Sequence, residues 1–161
     1  MDLPRLARRQ ILRWVQRLYL DYNCFQRRFD DQKQNRIRRE PEACDKILEQ
    51  VRGEGLELVW SFMHEDENEF CPFPARRVEI MGMEHICASS VKPIESIRLR
   101  AHQLQHDGRL SAKDALHVAC ALHTKVNWFL TCDDQLIKRA TRLNLSVHLA
   151  NPVAYVATQS F

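Results

Sequence analysis

The sequence predicts an α/β domain with a mainly parallel sheet covered by helices on both faces. Three observations carry that expectation. Short apolar runs at Arg17–Asp21, Leu56–Trp60, Trp128–Thr131 and Ser146–Ala150 have the length and composition of strands. Stretches with apolar residues at helical spacing lie between them. The connections are short, and strands alternating with helices favour parallel pairing.

Taken in order, Pro4–Gln16 reads as a basic amphipathic helix with Leu6, Ile11, Leu12 and Val15 toward one side. It divides the chain into an extension, residues 1–16, and a domain, 17–161. A docking helix, an arm touching RNA, and an extension ahead of a misplaced start all fit it. The first strand ends at Asp21, and a helix follows over Asn35–Val51 with Arg36, Arg38 and Arg39 crowding its first turns. The helix dipole disfavours cations there, which marks them as candidates for nucleic-acid contact beside the plainer reading of a solvated helix start. Gly53-Glu54-Gly55 ends that helix ahead of the second strand, and Ser61 is an N-cap type for the next one. Cys71-Pro72-Phe73-Pro74 breaks it. A helix over Ala75–Cys87 begins with Arg76 and Arg77, further candidates for nucleic-acid contact. Pro93–His106 forms another helix, with Gly108 expected at its C-cap. Ser111 should cap a helix that frays near Thr124, and its apolar side is Ala115, Leu116, Val118, Ala119, Ala121 and Leu122.

Composition narrows the class. At 161 residues, 45% hydrophobic and 28% charged, the chain has enough apolar surface for one packed core. No apolar run approaches the ~20 residues of a membrane span, and the opening MDLPRLARRQ has no signal-like apolar core, so the expected place is the cytoplasm. Six cysteines without a C-x-x-C pair argue against a zinc ribbon. Four glycines form neither a Walker A loop nor a dinucleotide fingerprint, so no nucleotide cofactor is expected. The net charge of +3 hides an asymmetry: residues 1–40 hold eleven basic and five acidic residues. A basic front end suits a polyanion, and a solvated helix face is the plainer alternative.

The chemistry concentrates in Ser111–Asp134. Asp114 sits in the first turn of a helix, where a carboxylate is favoured. Asp133 and Asp134 lie just past a strand. Ligands in open α/β sheets bind outside the carboxyl ends of strands, so these acids can face one site. D-A-L-H-x-A-x-A followed by F-L-T-x-D resembles the C-terminal half of the PIN-domain (PilT N-terminus) family of metal-dependent ribonucleases, which includes small VapC-like toxins. Asp21-Tyr22-Asn23 resembles the D-x-N at the end of that family's first strand. Ser61 and Glu67 match its serine and glutamate six residues apart, with Glu65 and Glu69 as rivals.

The resemblance implies a three-layer α/β/α fold with a roughly five-stranded sheet. It also implies catalytic and metal-binding roles for Asp21, Glu67, Asp114 and Asp133. Asn23 and Thr131 would hold these carboxylates by hydrogen bonds, with Asp134 and His117 beside them. His117 is expected to pack against or orient Asp114, and His64, His85, His102 and His106 to be surface or internally satisfied histidines. Four clustered carboxylates repel unless a cation joins them, and an all-oxygen set suits Mg²⁺ or Mn²⁺. The implied activity is metal-dependent hydrolysis of RNA phosphodiesters, leaving 5′-phosphate and 3′-hydroxyl ends. A toxin role brings a cognate antitoxin as partner, and the expected assembly is a homodimer. A non-catalytic PIN-like module binding RNA or protein is the alternative. A phosphoacceptor receiver domain is disfavoured, because it needs adjacent acids after its first strand.

Overall fold

The computed structural model describes residues 14–31 and 33–161, and of residues 35–37 the backbone alone. The expected basic helix at Pro4–Gln16 lies outside the described residues apart from its end, where Gln16 already begins a strand. Among the described residues five strands form one all-parallel sheet: β1 (Gln16–Leu20), β2 (Leu56–Ser61), β3 (Ser89–Val91), β4 (Trp128–Leu130) and β5 (His148–Ala150), in the order β3-β2-β1-β4-β5. Helices α1 (Tyr22–Gln26), α2 (Asn35–Arg52), α3 (Phe62–Glu69), α4 (Pro74–Met81), α5 (Glu95–Gly108), α6 (Ala112–His123), α7 (Asp134–Thr141) and α8 (Pro152–Ala157) cover its two faces. Among the described residues no helix is long and apolar enough to cross a membrane.

Period-two alternation along the strands divides the core. Tyr19, Val59 and Phe129 point to a layer closed by Ile97, Ala101, Leu104, Ala115, Val118, Ala119 and Leu136, from α5, α6 and α7. Leu18, Leu20, Leu58, Trp60 and Leu130 point the other way, onto Phe25, Ile47, Leu48, Ile80 and Tyr155 from α1, α2, α4 and α8. The central strand is buried on both faces, which is why Leu18-Tyr19-Leu20 reads as an unbroken apolar run. From β1 the chain winds outward through β2 to β3. It then crosses back to pair β4 on the other side of β1. The switch between β1 and β4 opens a crevice at the carboxyl ends of those strands.

Several boundaries differ from the expectations. The helix expected over Ala75–Cys87 stops at Met81 and passes at Gly82, a poor helix former, into a 3₁₀ turn over Gly82–Ile86. A strand follows at Ser89–Val91 that the sequence pattern does not announce. The last strand is His148–Ala150 rather than Ser146–Ala150. Gly108 is not the left-handed cap of α5. It is the last helical residue, and Arg109 takes the left-handed conformation at φ 53. A Cβ at 108 would lie 2.6 Å from Leu143 Cδ1, so any larger residue there would make the end of that side chain shift.

Candidate metal centre

Asp21 follows the last residue of β1, and its N–H continues the ladder by donating to the Leu130 carbonyl at 2.8 Å. That anchors a buried carboxylate in the crevice beside β4. Asn23 Nδ2 and the Thr131 hydroxyl both donate to its Oδ2, at 3.0 and 2.7 Å. Asn23 also donates to Thr131 Oγ1 and accepts from the Cys132 N–H, each at 3.0 Å, so it ties the ends of β1 and β4 together. These two bonds leave Oδ1 facing His117 Nε2 at 3.9 Å.

Glu67 enters from α3. Ser61 caps this helix, and its own N–H donates to His64 Nδ1 at 3.0 Å. One Glu67 oxygen makes a close hydrogen bond with His117 Nε2, and the other accepts from Lys113 Nζ at 3.0 Å. The rivals point elsewhere: Glu65 pairs with Lys92 at 3.1 Å, and Glu69 is exposed at the end of α3. His117 stands on the buried side of α6, whose N-cap Ser111 accepts from the Asp114 N–H at 3.1 Å. One ligand atom each from Asp21, Glu67 and His117 falls within 4.8 Å of the others.

The electrostatics follow from this packing. Burial raises the Asp21 carboxyl above its ordinary range, and the charges of Glu67 and Asp114 add to the rise; His117 and the Thr131 hydrogen bond oppose it. Burial also pushes Glu67 up, but its hydrogen bonds and charge contacts with His117 and Lys113 outweigh that and hold it below the ordinary range. Burial, reinforced by the charge of His117, lowers His64 to about 3, so this residue stays neutral. It is the satisfied core histidine the sequence suggested, donating from Nε2 to the Leu20 carbonyl at 2.7 Å.

The remaining sequence-predicted residues are placed less centrally. Asp114 is half-buried in the first turn of α6, close enough for its charge to act on Asp21. Asp133 caps α7, its Oδ1 accepting from the N–H groups of Gln135 and Leu136 at 2.8 and 3.1 Å, while its own N–H donates to Thr131 Oγ1 at 3.1 Å. Asp134 is exposed in the first turn of α7 and lines an open cleft of about 520 Å³ with Arg39, Glu40 and Asn151. His117 does not orient Asp114. Its two ring nitrogens engage Glu67 and Tyr19 instead, because α6 turns the residue inward toward α3 and β1. Among the basic candidates, Arg38 and Arg39 are exposed, and the side chain of Arg36 lies outside the described residues. Arg77 is exposed. Arg76 is held over the rings of Phe73 and Phe29, at 4.3 and 4.6 Å, and donates to Gln26. Sequence reasoning missed the parts played by His117, Lys113 and Tyr19. The signal for the first was the D-A-L-H spacing, which sets His117 one turn after Asp114 on the buried side of α6.

No family model matches the chain, and no curated protein matches it. Among solved structures, the crystal structure of FitAcB from Neisseria gonorrhoeae superposes with a TM-score of 0.56 at 16% sequence identity, covering 84% of this chain and 97% of that one. At that identity the likeness speaks for the fold, which is PIN-like: three α/β/α layers around a five-stranded parallel sheet.

Proposed function

We propose that the protein is a metal-dependent endoribonuclease of the cytoplasm whose centre lies at the carboxyl ends of β1 and β4. The observation that carries this reading is the convergence of Asp21, Glu67 and His117 to within 4.8 Å at a topological switch point. The donor chemistry fits a divalent cation. Asp21 is buried with one oxygen supported and the other turned toward Glu67 and His117. Asp21 and Glu67 would hold the ion, with Asp114 and Asp133 at its edge. Mg²⁺ or Mn²⁺ supplies neutralisation of the phosphodiester and an activated water. The chain's own residues set the geometry. Asn23 and Thr131 fix the Asp21 carboxylate, and Lys113, more than half exposed beside Glu67, stands where an RNA phosphate would approach. The products expected are 5′-phosphate and 3′-hydroxyl ends. A cognate antitoxin and a homodimer belong to the same reading.

A non-catalytic PIN-like module is favoured by one observation: Lys113 and His117 already balance the charge on Glu67 without an ion. Incubating a mixed RNA pool with the protein in Mg²⁺ or Mn²⁺, and mapping ends at nucleotide resolution, separates the two. Metal-dependent cuts that disappear in a folded Asp114→Asn variant support the nuclease. Undiminished cleavage by that variant would move the activity away from this centre.

A further inference from the structure

Behind Glu67 runs a buried line of polar groups that metal binding by carboxylates alone does not require. His117 Nδ1 lies 2.7 Å from Tyr19 Oη, which lies 2.6 Å from Ser61 Oγ, which lies 3.0 Å from His64 Nδ1. All four residues are at most 1% exposed, on β1, β2, α3 and α6. The far end of the line has a defined sense. A carbonyl only accepts, so His64 Nε2 carries the hydrogen given to Leu20 and Nδ1 carries a lone pair. The Ser61 hydroxyl can share that acceptor with its own N–H, Tyr19 can donate to Ser61, and His117 Nδ1 to Tyr19. With Nδ1 keeping its hydrogen in that sense of the line, Nε2, turned toward Glu67 and Asp21, is the atom left to meet a cation once the proton it shares with Glu67 has gone.

We propose that His117 is a nitrogen ligand of the metal, with its tautomer and ring orientation set by the Tyr19–Ser61–His64 line, so that the centre is a mixed nitrogen and oxygen site. This rests on the nuclease reading above and refines which ion the centre prefers. Without an ion, Nε2 donates to Glu67 and that hydrogen bond holds the two side chains together; an entering cation would displace the Nε2 proton to solvent. Imidazole suits transition metals, whereas Mg²⁺ favours oxygen and keeps its waters, so the site prefers Mn²⁺ to Mg²⁺. Metal-binding histidines commonly donate their other nitrogen to a buried acceptor, which is the place Tyr19 occupies here.

The test is electron spin-echo modulation of the full-length protein loaded with Mn²⁺. Wild type should show ¹⁴N modulation that changes to the ¹⁵N pattern when only histidine is ¹⁵N-labelled, and this needs no variant that has to fold. Tyr19→Phe, which keeps the ring and removes the hydroxyl, should weaken Mn²⁺ binding by roughly tenfold or more. His117→Asn should abolish the modulation and lower Mn²⁺ affinity by about 10- to 100-fold while changing Mg²⁺ affinity much less. Mn²⁺-loaded protein that cleaves RNA without nitrogen modulation would overturn the ligand assignment and leave the nuclease reading standing. Protein that neither binds Mn²⁺ nor cleaves RNA would overturn both.

Discussion

Replacing Thr131 by valine removes one hydroxyl and keeps nearly the same volume. That hydroxyl sits at a junction: it donates to Asp21 Oδ2 at 2.7 Å and accepts from Asn23 Nδ2 at 3.0 Å and from the Asp133 N–H at 3.1 Å. Its donor and both lone pairs are used, and Thr131 is fully buried, so water does not replace it. A bond to an ionised carboxylate is worth about 1.5–3 kcal/mol, and the stranded Asp133 N–H adds to the loss, so Thr131→Val should cost about 2–4 kcal/mol at neutral pH. The pH dependence has a sign. Burial, with the neighbouring acids, raises the folded pKa of Asp21, so its contribution is intact below its unfolded pKa and is lost as pH rises through the folded value. Removing the Thr131 donor raises that folded value further. The deficit of the variant should therefore be largest near neutrality and shrink under acid, once Asp21 is protonated in both proteins. Urea unfolding of metal-free protein across that range measures it. Mn²⁺ titration should show affinity weakened about 10- to 100-fold. A loss under about 0.5 kcal/mol, or one equal at every pH, would refute the reasoning.

Two further outcomes follow from named groups. Burial, then the charge of His117, lowers His64 to about 3, so stability should be whole above its unfolded pKa and fall as pH drops toward 3. One group contributes up to about 1.4 kcal/mol per pH unit there, and His64→Gln should flatten that limb of the stability profile. If the first turns of α2 contact RNA phosphates, replacing Arg36, Arg38 and Arg39 together by Gln should flatten the log–log salt dependence of binding to single strands by up to about two units. An unchanged slope with lost self-association would make this end of the protein a protein-binding face.

What the sequence disclosed about the site tracks how local the cause is. Asp21, Asn23 and Thr131 follow strands β1 and β4 directly, and in a parallel sheet the carboxyl ends of adjacent strands must lie side by side, so D-x-N and F-L-T carried their positions. Ser111 as cap of α6 was equally local, satisfied three residues on. Glu67 could be chosen over Glu65 and Glu69 only by spacing within a resemblance, since its contacts with Lys113 and His117 join residues 46 and 50 positions apart. For His117 the D-A-L-H spacing gave its place on α6 but not its contacts, because its partners Tyr19 and Glu67 lie 98 and 50 residues away. The same holds for Arg76, whose aromatic partner Phe29 comes from a distant segment. Strand β3 escaped notice because Ser89-Ser90-Val91 has no strand pattern of its own and is defined by pairing with β2. Helix α7 was missed for a different reason. Asp133 read as an acid of the site, while in the fold one of its oxygens caps the helix that buries Leu136 and Ala140.

The central claim is that Glu67, and not its acidic neighbours, joins Asp21 and His117 in a metal centre that cleaves RNA. Mn²⁺-dependent cleavage rates of Glu65→Gln, Glu67→Gln and Glu69→Gln, each confirmed as folded, test it directly. The account predicts a loss approaching 100-fold for Glu67→Gln and rates within about twofold of wild type for the exposed Glu69 and the Lys92-paired Glu65. Equal losses in all three, or the largest loss at Glu65, would contradict it.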